Sequence, residues 1–319
     1  MRKIAVLTSG GDSPGMNAAI RAVVLSGANK GLEVFGVYNG YEGLIGGNIV
    51  PLNQKNVKDI IQRGGTILRT SRSERFKQDE WQFNAIRTLK DLEIEGLVVI
   101  GGDGSFQGAM KLGEKGLPVV GIPGTIDNDI SGTDYSIGFN TAVSTAIDAI
   151  DKIRDTAYSH EKTTIVEVMG RDAGDIALWS GLCTGGESII IPEATYQMKD
   201  LITRIEQARE QGNKESIIIV AEGVCSAEEI RDELKEHISL DSRVVVLGFL
   251  QRGGTPTAYD RMIGSQMGAK AVDLLLEGKH GSMVSIKDGK ITHTPFNQAA
   301  KELHKIDMSL YQLALNLST

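Results

Sequence analysis

The stretch Gly96–Ala109, GLVVIGGDGSFQGA, runs a string of apolar residues into a glycine-rich turn that holds one carboxylate, Asp103. An uninterrupted apolar, β-branched run of this length reads as a parallel strand covered on both faces. The segment after it, Ser105–Lys115, has helical spacing. Strand, glycine turn and helix make the repeating unit of open parallel sheets, in which ligands bind outside the carboxyl ends of the strands.

The same alternation continues in both directions. Strands are expected at Lys3–Leu7, Leu32–Val37, Pro118–Ile122, Thr163–Val168, Ser188–Ile191, Ser216–Ala221 and Arg243–Phe249. Helices are expected at Gly15–Lys30, Glu80–Leu92, Thr141–Ser159, Asp172–Leu182, Met198–Gln211, Ala227–His237 and Ala258–Leu276. Within Thr141–Asp155 the apolar Val143, Ile147, Ile150 and Ile153 recur every three or four residues. SMVSIKDGKITH reads as a hairpin turning at Asp288-Gly289. A chain of 319 residues exceeds what one core usually serves. The expected fold class is therefore α/β: two Rossmann-like three-layer α/β/α domains with mostly parallel sheets, exchanging chain segments. With no linker in sight, soft boundaries near Gly138 and Gln251 divide residues 1–138 plus 251–301 from residues 139–250 plus 302–319.

Composition narrows the partners. A net charge of −7 argues against a nucleic-acid or anionic-membrane binder, so any phosphate site must be built locally. Cys183 and Cys225 show no metal-ligand or CxxC spacing and read as buried free thiols. The first apolar run is too short for a signal or spanning segment, and a soluble, cytoplasmic protein is expected. His160, His237, His280, His293 and His304 have no metal spacing and read as ordinary surface or core residues; Trp81, Phe106 and Trp179 read as packing residues. The 38 glycines are about 12% of the chain against a usual figure of about 7%, which suits backbone that approaches a ligand closely.

The ends of the expected strands gather the chemistry. Ser9–Gly15 leads into a helix whose amino-terminal N–H groups can hold phosphate, although it matches neither common nucleotide fingerprint. In GGDGS the glycines admit a polyphosphate, and Asp103 is either a hard oxygen ligand for Mg²⁺ or the cap of the helix starting near Ser105. PGTIDND carries Asp127 and Asp129, which in extended backbone lie on one side. One suits a base toward a hydroxyl, the other metal or loop; the plainer reading is an Asx-rich turn. Arg72, Arg171, Arg243 and Arg252 form an expected rim of guanidinium groups for two anions, nucleotide and substrate.

Taken in order, LTSGGDSPGMNAAIRA, GLVVIGGDGS, PGTIDNDI, DKIRDTAYSH, VMGRDAGDIALWSG, VAEG and QRGGTPTAYDR resemble the bacterial ATP-dependent 6-phosphofructokinase family across nearly the whole chain. The resemblance implies transfer of the ATP γ-phosphoryl group to the 1-hydroxyl of fructose 6-phosphate, the committed step of glycolysis. It assigns ATP to the first domain, through Gly11, Arg72, Ser73, Gly102, Asp103, Gly104, Ser105 and Gly108, with Asp103 on Mg²⁺. It makes Asp127 the proton acceptor, with Thr125, Arg171, Gly11 and Arg72 as its catalytic company. The sugar phosphate falls to Thr125, Ile126, Asp127, Met169, Gly170, Arg171, Glu222, Phe249, Leu250, Gln251 and Arg252. Lys162 and Arg243 fall where a neighbouring subunit completes the site, which implies a homotetramer. An effector site for ADP or phosphoenolpyruvate maps to Arg21, Arg154, Gly185, Glu187 and Lys214.

Departures from the family pattern carry expectations of their own. Pyrophosphate-using relatives carry Asp at position 104 and Lys at position 124; Gly104 and Gly124 here leave both places open, which favours ATP. Lys162 stands where arginine is usual, and Phe249 where histidine is usual and cannot donate a hydrogen bond. Weaker fructose 6-phosphate affinity is expected. Leu25, Gln211, Asn213 and Glu215 replace often-basic residues, so weak or altered allostery is expected. The rival readings are another kinase with a GGDG loop and a non-catalytic nucleotide sensor.

Overall fold

The computed structural model describes residues 1–301 and 304–318. By contact the chain separates into two compact units, one of Met1–Ile126, Ile130–Thr141 and Arg252–Leu303, the other of Asp127–Asp129, Ala142–Gln251 and His304–Thr319. Residues 302, 303 and 319, which fall in the sequence-based second domain, lie outside the described residues.

In the first unit the strands are β1 (Lys3–Thr8), β2 (Glu33–Val37), β3 (Ile49–Leu52), β4 (Gly96–Gly101), β5 (Val119–Thr125) and β6 (Ile137–Gly138). Further along the chain, the second unit contributes β7 (Thr163–Val168), β8 (Ser188–Ile190), β9 (Ser216–Ala221) and β10 (Ser242–Val246), and β11 (Ser282–Lys287) and β12 (Lys290–Pro295) rejoin the first. The helices are α1 (Met16–Asn29), α2 (Gly40–Ile45), α3 (Asp79–Asp91), α4 (Asp103–Glu114), α5 (Phe139–His160), α6 (Asp175–Thr184), α7 (Met198–Glu210), α8 (Ala227–Ile238), α9 (Ala258–Leu276), α10 (Phe296–Ala299) and α11 (Met308–Leu317).

The first sheet has the order β12-β11-β5-β4-β1-β2-β3, with β6 beside β5. Its centre is parallel, and antiparallel pairs β2/β3 and β11/β12 close the two edges. Alternate residues of β1 enter different cores: Ile4 and Val6 pack with α1 and α9, while Ala5 and Leu7 pack with α2, α3 and α4. Both faces are therefore covered, which is why the strand sequences are apolar throughout. The second sheet, β10-β7-β9-β8, is parallel and is covered on one face by Leu201 and Ile205 of α7 and Ile230 and Leu234 of α8.

Several details differ from the sequence-based expectation. The eighth expected strand stops at Val246, because Gly248 takes a left-handed φ of 48° and Gly248–Arg252 winds into a 3₁₀ turn. The fourth helix starts two residues early, at Asp103. Edge strand β3 and helices α2, α10 and α11 were not anticipated; β3 carries Pro51, a residue tolerated at a sheet edge. Cys183 is exposed and Cys225 half-buried, so the thiols are free but not buried as expected: Cys183 sits in the last turn of α6 facing outward. The Asp288-Gly289 turn has both φ values positive, 51° and 71°, as a two-residue hairpin turn requires.

Candidate active site

In the first sheet the chain winds outward from β1 to β3 in one direction and from β4 to β5 in the other, so the topological switch lies between β1 and β4. A crevice outside their carboxyl ends is the expected ligand site of such a sheet. Its two walls are the loop Ser9–Gly15 and the turn Gly101–Ser105, fastened by the Ser9 N–H donating to the Ile100 carbonyl at 3.0 Å. Thr70 Oγ1 donates to the Gly10 carbonyl at 2.8 Å and brings the Arg72 and Ser73 segment alongside. Ser73 donates to Glu42, which also pairs with Arg75.

Asp103 is the first residue of α4, and the residue before it, Gly102, caps the helix without any side-chain hydrogen bond. The reading of Asp103 as a helix cap is thus wrong; the carboxylate lies inside the positive end of the helix. Asp103 is exposed at the crevice, and partial loss of water around it pushes its carboxyl above the ordinary aspartate range. An accessible carboxylate of this kind fits a hard divalent cation, with Gly102 and Gly104 giving clearance: a Cβ at Gly104 would meet nothing within 4 Å. Thr125 ends β5 opposite Gly102, whose added Cβ would lie 3.9 Å from the Thr125 Cβ. Ser105 is buried in the first turn of α4, where its carbonyl accepts from Tyr41 Oη at 2.6 Å. Gly108 faces the same ring, and a Cβ there would come within 2.8 Å of it.

Gly124 is not open, contrary to expectation. Its Cβ would point inward, 3.1 Å from both Ile100 Cγ2 and Met16 Cε, because β5 is covered on that face by α1. The two glycines thus do different work, clearance at 104 and packing at 124.

Arg252 belongs to the first unit and pairs with Asp12 at 2.7 Å, its guanidinium crossing Gly11 so closely that a Cβ there would lie 2.8 Å from Nη2. Sequence reading missed Asp12, whose only signal was its place beside Gly11.

In the second unit the loop after β7 carries Met169, Gly170 and Arg171. Gly170 at φ 142° and Arg171 at φ 53° both sit in left-handed backbone, a strained arrangement held from outside. One oxygen of Glu222 accepts from the Gly170 N–H at 3.3 Å and the Arg171 N–H at 3.0 Å, and Gln251 Oε1 accepts from the Met169 N–H at 3.2 Å. Gln251 is fully buried and also donates to the Gly248 carbonyl. Its side chain therefore supports the loop. Phe249 and Leu250 beside it are exposed, at 77% and 63%.

Asp127 is buried, and Arg171 Nε lies 3.3 Å from its Oδ2. The Asp127–Asp129 segment is not extended, as Asn128 turns into left-handed backbone at φ 54°, so the two aspartates do not lie side by side on a strand as expected. Ile126 is buried in the first unit.

The expected arginine rim breaks up. Arg171 follows the carboxyl end of β7, but Arg243 pairs in register with Thr164 near the amino ends of β10 and β7, and Lys162, joined to Asp241, immediately precedes β7. A six-residue strand spans about 20 Å, which puts Lys162 and Arg243 at the far edge of the sheet from Arg171.

The expected effector residues are mostly engaged. Arg154 Nη1 meets Glu187 Oε1 at 2.9 Å while Nη2 donates to the Thr184 and Gly185 carbonyls. Lys214 pairs with Glu161 at 2.8 Å, Arg21 is half-buried on α1, and Leu25 packs against the core.

A glycine-walled crevice at the switch point of the first unit's sheet and, in the second unit, a buried aspartate beside an arginine each suit a phosphotransferase with an alcohol acceptor. The phosphofructokinase family model matches residues 3–275, and the chain belongs to that family. It is 58% identical over the full length of both chains to an ATP-dependent 6-phosphofructokinase of Brevibacillus brevis, and 57% to one of Natranaerobius thermophilus, again end to end. Among solved structures, phosphofructokinase from Saccharomyces cerevisiae superposes with a TM-score of 0.89 at 32% identity; it covers all of this chain, which spans 47% of the yeast chain. Among the described residues no helix is long and apolar enough to cross a membrane.

Proposed function

We propose that the chain transfers the γ-phosphoryl group of ATP to the 1-hydroxyl of fructose 6-phosphate, giving fructose 1,6-bisphosphate and ADP, in the cytoplasm. The observation that carries this reading is Asp127: a buried carboxylate whose Oδ2 lies 3.3 Å from a guanidinium nitrogen. Phosphoryl transfer needs positioning and charge neutralisation more than covalent chemistry, and a carboxylate so placed can accept the sugar hydroxyl proton. Arg171 stands beside Asp127 and offers its remaining donors to the transferring group.

The donor is held by the walls of the first-unit crevice, Gly11, Arg72, Ser73 and the Gly102–Ser105 turn. Asp103 would hold Mg²⁺, which when bound neutralises charge on the phosphate oxygens. In the second unit the acceptor takes Arg171 and the Gly170 backbone. Lys162 and Arg243, at the opposite edge of their sheet from Arg171, serve a second copy of the chain, and the assembly is a homotetramer with shared sugar-phosphate sites. Allosteric response to ADP or phosphoenolpyruvate is weak or altered, since Arg154 is engaged by Glu187 and Leu25 faces the core.

A coupled assay with fructose 6-phosphate, comparing ATP with pyrophosphate, tests donor and acceptor together. Turnover with ATP alone is expected; turnover with neither removes the reading and leaves a nucleotide sensor.

A further inference from the structure

His304, Asp175 and Asn128 have no part in the chemistry above, yet they form one chain of contacts. His304 Nε2 lies 2.7 Å from Asp175 Oδ2, and Asp175 Oδ1 accepts from Asn128 Nδ2 at 3.4 Å. Asp175 is 5% exposed and is the first residue of α6. A buried carboxylate needs partners for both oxygens. One is met by an imidazole from the segment leading to α11, the other by the side chain of the residue between Asp127 and Asp129.

Asn128 is itself buried and in left-handed backbone at φ 54°. Asparagine tolerates that region better than most residues but does not select it alone. A left-handed residue flanked by two aspartates needs an external hold, and Asp175 is placed to provide it.

We propose that His304 is a positioning residue: by fixing Asp175 it fixes Asn128, and through the backbone of that turn it aims the Asp127 carboxylate. The proposal rests on the reading of Asp127 as the proton acceptor. The charged groups facing His304 are Asp175 on α6, Asp129 in the turn and Glu193 after β8. The hydrogen bond to Asp175 raises the imidazole above its ordinary value, burial opposes this, and the other two carboxylates add to the rise. Glu193 also accepts from the Gly174 N–H at 3.0 Å, so it serves the same helix end. A histidine that only stapled the carboxyl-terminal segment would be partly redundant, because α11 packs on α6 independently and Tyr311 reaches the Ile189 carbonyl.

The test uses the full chain, with steady-state kinetics across pH on His304→Ala, His304→Gln, Asn128→Gly and Asp127→Asn. Displacement of a reacting group by about an ångström costs up to roughly a hundredfold, so His304→Ala is expected to lower kcat about ten- to a hundredfold with KM for ATP unchanged. The acid limb of its kcat profile moves to higher pH as a cation leaves the carboxylates. His304→Gln, whose amide nitrogen reaches the place of Nε2, restores most of kcat. Asn128→Gly breaks the link from the other side without backbone strain and gives the same loss even if His304→Ala does not fold. Wild-type kcat at every pH in both His304→Ala and Asn128→Gly overturns the positioning role. An active Asp127→Asn overturns the base assignment instead.

Discussion

Arg171 and Asp127 face each other at 3.3 Å, yet one is 55% exposed and the other 7%. The buried member is the carboxylate, and the solvated member is the cation. Replacement of Asp127 by Asn keeps the shape but removes the proton acceptor, so kcat is expected to fall by at least about 10²- to 10⁴-fold. ATP affinity, measured by calorimetry, should hardly change, because the nucleotide residues belong to the other unit. A variant with comparable turnover would exclude Asp127 as base.

The two donor-side glycines should separate by assay. Gly104→Ala adds a methyl group that meets nothing within 4 Å, so its melting temperature should stay near that of the parent while KM for ATP rises. Gly124→Ala forces Ile100 and Met16 apart, a small-to-large change that costs about 1–3 kcal/mol and lowers the melting temperature by several degrees. Equal melting temperatures would show that Gly124 has room after all.

His304 gives stability a pH dependence of known sign. Its folded-state value is raised above the ordinary 6.5, so the pairing with Asp175 contributes fully below about that pH. The contribution is lost as pH rises through the higher folded-state value. Denaturant midpoints should therefore fall from pH 6 toward alkaline pH, and His304→Gln should flatten that slope. An unchanged slope in the variant would assign it to other groups.

Phe249 is 77% exposed beside the loop that holds Arg171. Phe249→His adds a donor without disturbing a core, so KM for fructose 6-phosphate should fall while kcat and melting temperature stay close to the parent. A sugar KM that does not respond would mean that Arg252 and Arg171 suffice.

Phosphoenolpyruvate should inhibit weakly, since Arg154 already serves Glu187 and two carbonyls. Strong sub-millimolar inhibition would require that ion pair to open, and Glu187→Gln would then alter the response.

The fold was legible wherever one local signal sufficed. Apolar runs marked β1, β4, β5, β7 and β9, because strands covered on both faces need no polar side. Short elements such as β3 and α2 escaped, since four to six residues carry too little periodicity. Asp103 was found because glycines surround it. Asp12, Asp175 and His304 were not, because each acts on a partner remote in sequence: Arg252 is 240 residues from Asp12, and His304 is 129 from Asp175. The hold of the Gln251 side chain on Met169 escaped for the converse reason: a motif places a residue near a ligand but does not say which way its side chain turns.

The ring of Tyr41, stacked on Phe76 with centroids 4.0 Å apart, occupies the space that a side chain at Gly108 would need. The helix that starts at Asp103 is thus braced from behind by an aromatic pair. In a mutational scan, alanine at position 108 would therefore register its collision with this ring as well as any effect on a ligand, and only a melting temperature beside the activity would tell the two apart.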